Sequence, residues 1–239
     1  MPLPANERLI AALDVSSIES ARSLVQQLEG LVSFFKVGFR LHLAPGLSDF
    51  IDWLNESGRK VFLDYKYYDV EETVQGAVRL AAERGITFVT VHGSGGTIRA
   101  AVRGRGENGF PKILIVTVLT SLDATDITAM GFPCSVEDLV VHRAKMALQA
   151  GCDGVIASGK EARAIRSLAQ DRLLIVTPGV RLADTSTDEH KRPVTPSDAI
   201  ASGADYLVIG RPILNAPDAR HAAERIVNEM QEAFQRRAE

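Results

Sequence analysis

The feature that most constrains the fold is a repeated alternation of short apolar runs with longer amphipathic stretches. The runs are rich in β-branched residues and span 9–15, 34–39, 60–66, 88–93, 112–119, 154–158, 173–179 and 206–211. The stretches between them have helical periodicity, and several begin at a Ser or Asp and end at a Gly, as helices tend to. Near-continuous apolar strands joined by helices predict a parallel sheet that is buried on both faces.

Eight strand–helix units in 239 residues, with no linker or low-complexity segment, favour a closed (β/α)8 TIM barrel over an open doubly wound sheet. An open sheet would usually carry a glycine-rich first turn, whereas the turn after the first run reads SSIES at 16–20. We therefore expect an α/β protein in which residues 1–239 form a single catalytic barrel domain.

Composition narrows the class of function. The net charge of -3 and the lack of a basic stripe give no reason to expect a nucleic-acid partner. Cys134 and Cys152 are too few for a disulfide framework and lack metal-ligand spacing, which fits a reducing compartment. The N-terminus has no signal-peptide pattern, and no run approaches the length of a membrane span. We expect a soluble cytoplasmic protein with no membrane partner.

Residues suited to chemistry collect at the C-terminal ends of the predicted strands, where active sites lie on this fold. They are Asp14, Lys36, Asp64, Lys66, His92, Thr120, Ser158, Arg181 and Arg211. Any one of them, such as Ser158 or His92, could simply mark the exit of a strand to solvent. Several carry charge inside or directly after an apolar run, which favours an active site for the set.

The run FLDYKYYDV at 62–70 places charges where burial is expensive. Asp64 and Lys66 are two residues apart on a strand, so both should face the barrel axis, with Lys36 on the neighbouring strand. Buried charges persist when they are paired, and an alternating array of Lys and Asp would keep Lys66 protonated. Such an ammonium suits a proton donor or a stabiliser of carbanion charge. A structural ion-pair network is the alternative.

Two motifs predict a phosphate site. TPGVR at 177–181 and VIGRP at 208–212 close the seventh and eighth strands. Barrels often hold phosphate there with backbone N–H groups and a nearby helix N-terminus. Arg181 and Arg211 lie in these motifs, and a guanidinium is a planar charged donor suited to phosphate.

These motifs together resemble one known family. FLDYKYYDVEETV at 62–74 resembles the Asp-x-Lys-x-x-Asp signature of the orotidine 5'-phosphate decarboxylase family, and LDV, FKVG, VHGSGG, VTVLTS, TPGVR and YLVIGRP match that family in the same order. The match runs from about residue 9 to residue 219. It implies removal of CO2 from C6 of orotidine 5'-phosphate to give UMP, the last step of uridylate synthesis, with no metal and no organic cofactor.

The resemblance also implies roles for the charged array. Asp14 would hold the ribose hydroxyls, and Lys36 would join the array. Asp64 would face the departing carboxylate, and Lys66 would stabilise the developing C6 carbanion and protonate it.

Further roles concern the base, the phosphate and a second subunit. Thr120 would contact the base, and Arg211 with the Gly210 N–H would bind the phosphate. Asp69 and Thr73 would reach into the partner subunit's site, so the resemblance implies a homodimer with shared active sites.

The chain departs from the family pattern at two positions. In the loop LADTSTDEHKRPVTP at 182–196, His190 stands where the family usually has a glutamine that bridges phosphate and base. An imidazole can donate one hydrogen bond but has a shorter reach. Alternatively, His190 faces solvent and Lys191 or a neighbour takes over. Glu71 stands where the family commonly has proline, and an acid suits the start of a helix.

Two other classes of function compete with this interpretation. A sugar-phosphate enzyme of related design, such as a 3-keto-gulonate phosphate decarboxylase or a hexulose-phosphate synthase, would use a metal and need a further acid near the end of the second strand. FKVGFRLH at 35–42 offers none. The other is a catalytically silent phosphate-binding barrel, which would have no reason to keep Asp64, Lys66 and Asp69 together.

Overall fold

Eight parallel strands pair in chain order, and the eighth pairs with the first to close a barrel. The structure is a computed structural model that describes residues 4–181 and 194–238. The strands are β1 Leu9–Ala12, β2 Phe34–Gly38, β3 Lys60–Tyr67, β4 Phe88–Val91, β5 Lys112–Val116, β6 Gly154–Ile156, β7 Leu174–Pro178 and β8 Tyr206–Ile209. The predicted (β/α)8 barrel is confirmed. Several strands end before the apolar runs that predicted them, since the last residues of those runs already lie in loops at the barrel mouth.

Helices follow the strands along the chain, with short additional helices before β1 and in some of the loops. They are α1 Ala5–Arg8, α2 Ile18–Gln27, α3 Leu47–Glu56, α4 Glu71–Glu83, α5 Gly95–Gly104, α6 Ala124–Ala129, α7 Val136–Ala150, α8 Gly159–Ala169, α9 Pro196–Ala201, α10 Arg211–Leu214 and α11 Ala219–Ala238. Serine caps were part of the prediction, and Ser17 and Ser135 accept backbone hydrogen bonds at the starts of α2 and α7. Within the described ranges, no helix is long and apolar enough to cross a membrane.

Aromatic rings fill the barrel interior. Phe34, Phe62, Phe88 and Tyr206 point inward from four strands and belong to one buried cluster. Their rings meet edge to face, with centroids 4.9 Å apart for Phe34 and Phe88 and 5.2 Å apart for Phe88 and Tyr206. This layer closes the barrel from below, so the open space lies toward the C-terminal ends of the strands.

A polar layer stands above the aromatic one. Lys36, Asp64 and Thr90 each follow an inward-pointing phenylalanine by two residues on β2, β3 and β4. Because successive side chains alternate across a strand, these three also point inward. The two-residue alternation of side chains therefore places the charged residues directly above the aromatic layer.

The opposite end of the barrel is held by ion pairs. Asp205, just before β8, accepts hydrogen bonds from the Arg166 guanidinium of α8 at 2.6 Å and from the Ile175 N–H of β7 at 2.9 Å. Arg237 of α11 lies 3.7 Å from the same carboxylate. Asp205 thus joins two strands and two helices at the end remote from the polar layer.

Candidate active site

A cavity of about 220 Å³ opens at the C-terminal end of the barrel. The predicted site residues that line it are Asp14, Lys36, Asp64, Lys66, Thr120, Arg181, Gly210 and Arg211. Apolar residues from the strand ends, among them Phe62, Ile156 and Val208, form the rest of the wall. The fold therefore gathers residues from seven of its eight strands and the loops that follow them into one pocket.

An alternating chain of charges runs along one part of this cavity. The Lys36 Nζ lies 3.0 Å from Asp14 Oδ1 and 3.6 Å from Asp64 Oδ2. The Lys66 Nζ donates to Asp64 Oδ1 at 2.9 Å. Lys36 keeps only 9% of its side chain exposed, so these carboxylates take the place of water around its ammonium group. The order along the chain of contacts is Asp14, Lys36, Asp64, Lys66.

The ionisation of Asp64 follows from its neighbours. Burial acts to raise the pKa of this carboxyl, but the charges of Lys36 and Lys66 and hydrogen bonds from Lys66 and Thr90 outweigh burial and lower the pKa below its ordinary value. Asp64 is therefore an anion at neutral pH. Its two oxygens are shared between two ammonium groups.

Gly38 lets Lys36 fold back toward its acidic partners. A Cβ at position 38 would stand 3.0 Å from the Lys36 Nζ and 3.7 Å from Asp14 Oδ1. A side chain there would make the ammonium group shift by a few tenths of an ångström from its position in the array. The glycine in FKVG thus leaves room for the charge network at the end of β2.

The other predicted motifs bring arginines to the same cavity. Gly179, with a φ of 75°, turns the chain after β7 so that Arg181 reaches the pocket. Gly210 precedes α10, and Arg211 is its first residue. Both arginines line the cavity that holds the charge array. Their positive charges suit a ligand that carries an anionic group.

Asp69 and Thr73 do not line the cavity of their own chain. Both are exposed, and Asp69 accepts a hydrogen bond from the Val70 N–H at 2.6 Å just before α4. The expectation that they serve a different subunit stays a prediction. His190 lies outside the described residues.

Two of the residues predicted at strand ends, Ser158 and His92, lie outside the cavity that contains the charge array. Ser158 caps α8, where its hydroxyl accepts from the Lys160 N–H at 3.2 Å. His92 lines a second cavity beside the first, and its ring is tilted against that of Tyr68 with centroids 5.8 Å apart. Burial, followed by the nearby charges of Arg143 and Lys66, lowers the pKa of His92. Neither residue lines the cavity that contains the charge array.

Sequence reasoning missed Thr90. Its hydroxyl donates to Asp64 Oδ1 at 2.9 Å and accepts from the Lys66 N–H at 2.9 Å. A usable signal was present, because Thr90 follows the inward-facing Phe88 by two residues in FVTVHG. The same alternation that singled out Asp64 predicts an inward hydroxyl on β4.

The end of β2 bears on the metal-dependent alternative. Arg40 stands there and donates to the Asp14 backbone oxygen at 3.2 Å. In the described part of the chain, no group of three or more His, Cys, Asp or Glu side chains is arranged to hold a metal ion.

Comparison with known proteins agrees with this geometry. The family model described as "Orotidine 5'-phosphate decarboxylase / HUMPS family" matches residues 7–226. The orotidine 5'-phosphate decarboxylase of Nitrobacter winogradskyi is 53% identical over 230 residues, which cover 96% of this chain and 95% of that protein. The enzyme of the same name from Methylococcus capsulatus is 44% identical, covering 98% of this chain and 96% of that protein.

A solved structure extends the likeness to three dimensions. The crystal structure of orotidine 5'-phosphate decarboxylase from Lactobacillus acidophilus aligns with a TM-score of 0.81 at 34% sequence identity. The alignment covers 94% of this chain and 99% of that one.

Proposed function

Because the chain belongs to the orotidine 5'-phosphate decarboxylase / HUMPS family, we infer that it decarboxylates orotidine 5'-phosphate to UMP and CO2 in pyrimidine biosynthesis. It is an enzyme of the carboxy-lyase class. The observation that carries the proposal is the charge array, in which one carboxylate lies between two ammonium groups beside two arginines. Relatives that share nearly the whole chain bear the name of this decarboxylase, which favours it over the sugar-phosphate reactions.

Lys66 is the group we assign to the chemical step. When CO2 leaves, the electron pair of the broken C–C bond stays on C6 of the pyrimidine. The ring delocalises that charge poorly, so a fixed ammonium beside C6 stabilises it without reorganising solvent. Lys66 then transfers a proton to C6 to give UMP and regains one from water.

Asp64 holds the Lys66 side chain in place. Its Oδ1 lies 2.9 Å from the Lys66 Nζ, which fixes the position of the ammonium group that the step requires. With the substrate bound, Asp64 would face the departing carboxylate, and their repulsion ends as neutral CO2 forms. Lys36 and Asp14 continue the array toward the ribose hydroxyls.

The arginines and nearby polar groups hold the parts of the substrate that do not react. Arg211 and the Gly210 N–H would bind the phosphate, with Arg181 lining the same cavity, and Thr120 would contact the base. Binding energy from the phosphate can hold the base against the charge array and so accelerate a step that the phosphate does not enter. His190 as a further contact stays a prediction.

A second subunit would complete the site. Asp69 is exposed and lies between Tyr68 and Val70, which are 71% and 68% exposed. Exposed apolar residues that join into one patch can mark a surface for protein interaction. We propose a homodimer in which Asp69 and Thr73 enter the partner's cavity. The single domain and the cytoplasmic location likewise stay predictions.

One assay tests the activity and the class of mechanism. Purified protein is mixed with orotidine 5'-phosphate, and the loss of substrate absorbance is followed with and without a metal chelator. We expect full turnover in both cases. Loss of activity with chelator, restored by added metal, would contradict the cofactor-free mechanism, and turnover of a 3-keto sugar phosphate but not of orotidine 5'-phosphate would contradict the substrate.

A further inference from the structure

Strand β3 carries an irregularity beside the charge array. Leu63 pairs with Val89 of β4, but the next paired residues are Tyr67 and Val91. Three residues of β3, from 64 to 66, therefore stand opposite the single residue Thr90. A bulge of this kind redirects side chains and leaves backbone groups without their regular partners.

Thr90 supplies the missing partner. Lys66 has a φ of 48°, in the left-handed region that residues with a side chain seldom adopt. Its N–H donates to the Thr90 hydroxyl oxygen at 2.9 Å, and that hydroxyl donates its own proton to Asp64 Oδ1 at 2.9 Å. Thr90 is fully buried and does not line the active cavity, so it acts through its two neighbours.

We propose that Thr90 is a positioning residue for the decarboxylation. Its hydroxyl fixes the backbone of Lys66 and the carboxylate of Asp64 relative to each other. The inference rests on the function proposed above.

Thr90 can fix both neighbours because its hydroxyl donates one hydrogen bond and accepts another. A hydroxyl has one proton and can accept at its oxygen, and Thr90 uses both capacities across the bulge. Asp64 Oδ1 accepts hydrogen bonds from both the Thr90 hydroxyl and the Lys66 ammonium. The orientation of the Asp64 carboxylate therefore determines where the ammonium lies. A strained conformation persists where surrounding contacts over-determine it. Without the hydroxyl, the bulge can relax and the Lys66 Nζ can leave its position.

Replacement of the hydroxyl tests the proposal. Thr90→Val keeps the shape but removes the donor and the acceptor, and misplacement of a catalytic group by about 1 Å can slow turnover by roughly 100-fold. We expect kcat on orotidine 5'-phosphate to fall by roughly 10- to 100-fold. UMP affinity, measured by calorimetry, should stay within about threefold, because phosphate and ribose contacts are untouched. Thr90→Ser, which keeps the hydroxyl, should retain most of kcat.

A matched control separates positioning from general loss of packing. Thr117, just after β5, is also fully buried, and its hydroxyl donates to the Ile156 backbone oxygen at 2.8 Å without touching the charge array. Thr117→Val should lower thermal stability as Thr90→Val does, and kcat should stay near that of the parent.

The outcomes are distinct. Parent-like kcat in Thr90→Val overturns the proposal, as does an equal loss of kcat in Thr117→Val or in Thr90→Ser. If Thr90→Val does not fold, Thr90→Ala takes its place under the same criteria. A parent protein that fails to decarboxylate orotidine 5'-phosphate would instead refute the proposed function.

Discussion

Lys66 combines a half-buried ion pair with an uncommon backbone conformation. Its ammonium is bound to Asp64 at 2.9 Å, while its φ of 48° lies outside the region typical of strands. Strain of this kind clusters at functional sites, where it fixes the direction of a reactive group. The residue that sequence reasoning assigned to proton transfer is thus also the one whose backbone departs most clearly from its strand.

The first prediction concerns Lys66. We expect Lys66→Ala to abolish turnover of orotidine 5'-phosphate while UMP binding stays largely intact, because the ammonium is needed chiefly as charge develops at C6. Single-turnover kinetics and calorimetry measure the two effects separately. Near-normal turnover would remove Lys66 from the mechanism.

Arg211 should show a different pattern. Arg211→Ala is expected to weaken binding of the phosphorylated substrate and also to slow its turnover, because binding energy at the phosphate is used at the reacting carbon. The phosphate-free nucleoside orotidine serves as the matched control and should be nearly indifferent to the change. Equal losses of kcat/KM on both substrates would show that Arg211 does not contact phosphate.

Among the elements, β7 and β8 are held at their N-terminal ends by a single carboxylate. Asp205 is 14% exposed and accepts from Arg166 at 2.6 Å and from the Ile175 N–H at 2.9 Å. Removal of one partner of a buried pair leaves charge and a backbone donor without compensation. The contact is structural, because the charge array lies at the other end of the strands.

Asp205→Ala should therefore destabilise the barrel without changing its chemistry. We expect the free energy of unfolding to fall by about 2–4 kcal/mol, measured by urea denaturation. Asp171→Ala is the control, since Asp171 meets Arg166 at 3.6 Å but is 99% exposed, and such pairs contribute little. A large fall in kcat at a temperature where Asp205→Ala is fully folded would contradict this separation of the two barrel ends.

At the scale of the whole molecule, a single chain forms the charge array, but the last acid of the Asp-x-Lys-x-x-Asp signature, Asp69, does not join it. Asp64 and Lys66 line the cavity, whereas Asp69 of the same motif is exposed beside α4. A two-fold dimer would bring each Asp69 to the other chain's site, because such an interface uses the same surface of both subunits.

Mixed subunits test this arrangement. Lys66→Ala and Asp69→Ala should each be nearly inactive alone, but a heterodimer would hold one site with both lesions and one with none. With equal amounts and random pairing, half of the dimers are mixed, so about a quarter of all sites should recover full activity. An exchanged mixture no more active than its parents would place Asp69 in its own subunit's site.

Much of the molecule could be inferred from its sequence. The short, near-continuous apolar runs predicted the strands, and their number predicted the closed barrel. Most of the residues predicted at the strand ends, from Asp14 after β1 to Arg211 after β8, do share a cavity, whereas His92 and Ser158 do not. These inferences succeed because side-chain alternation and helical periodicity are local properties of the chain.

Tertiary structure alone decided how those side chains meet. The contacts of Lys36 with Asp14 and Asp64 depend on the stagger between strands, which is set when the barrel closes and not by any one segment. The bulge in β3, and the use of Thr90 as its hydrogen-bond partner, lie where the pairing of β3 with β4 changes register. Neither is visible in local pattern, since each depends on residues that closure brings together from distant parts of the chain.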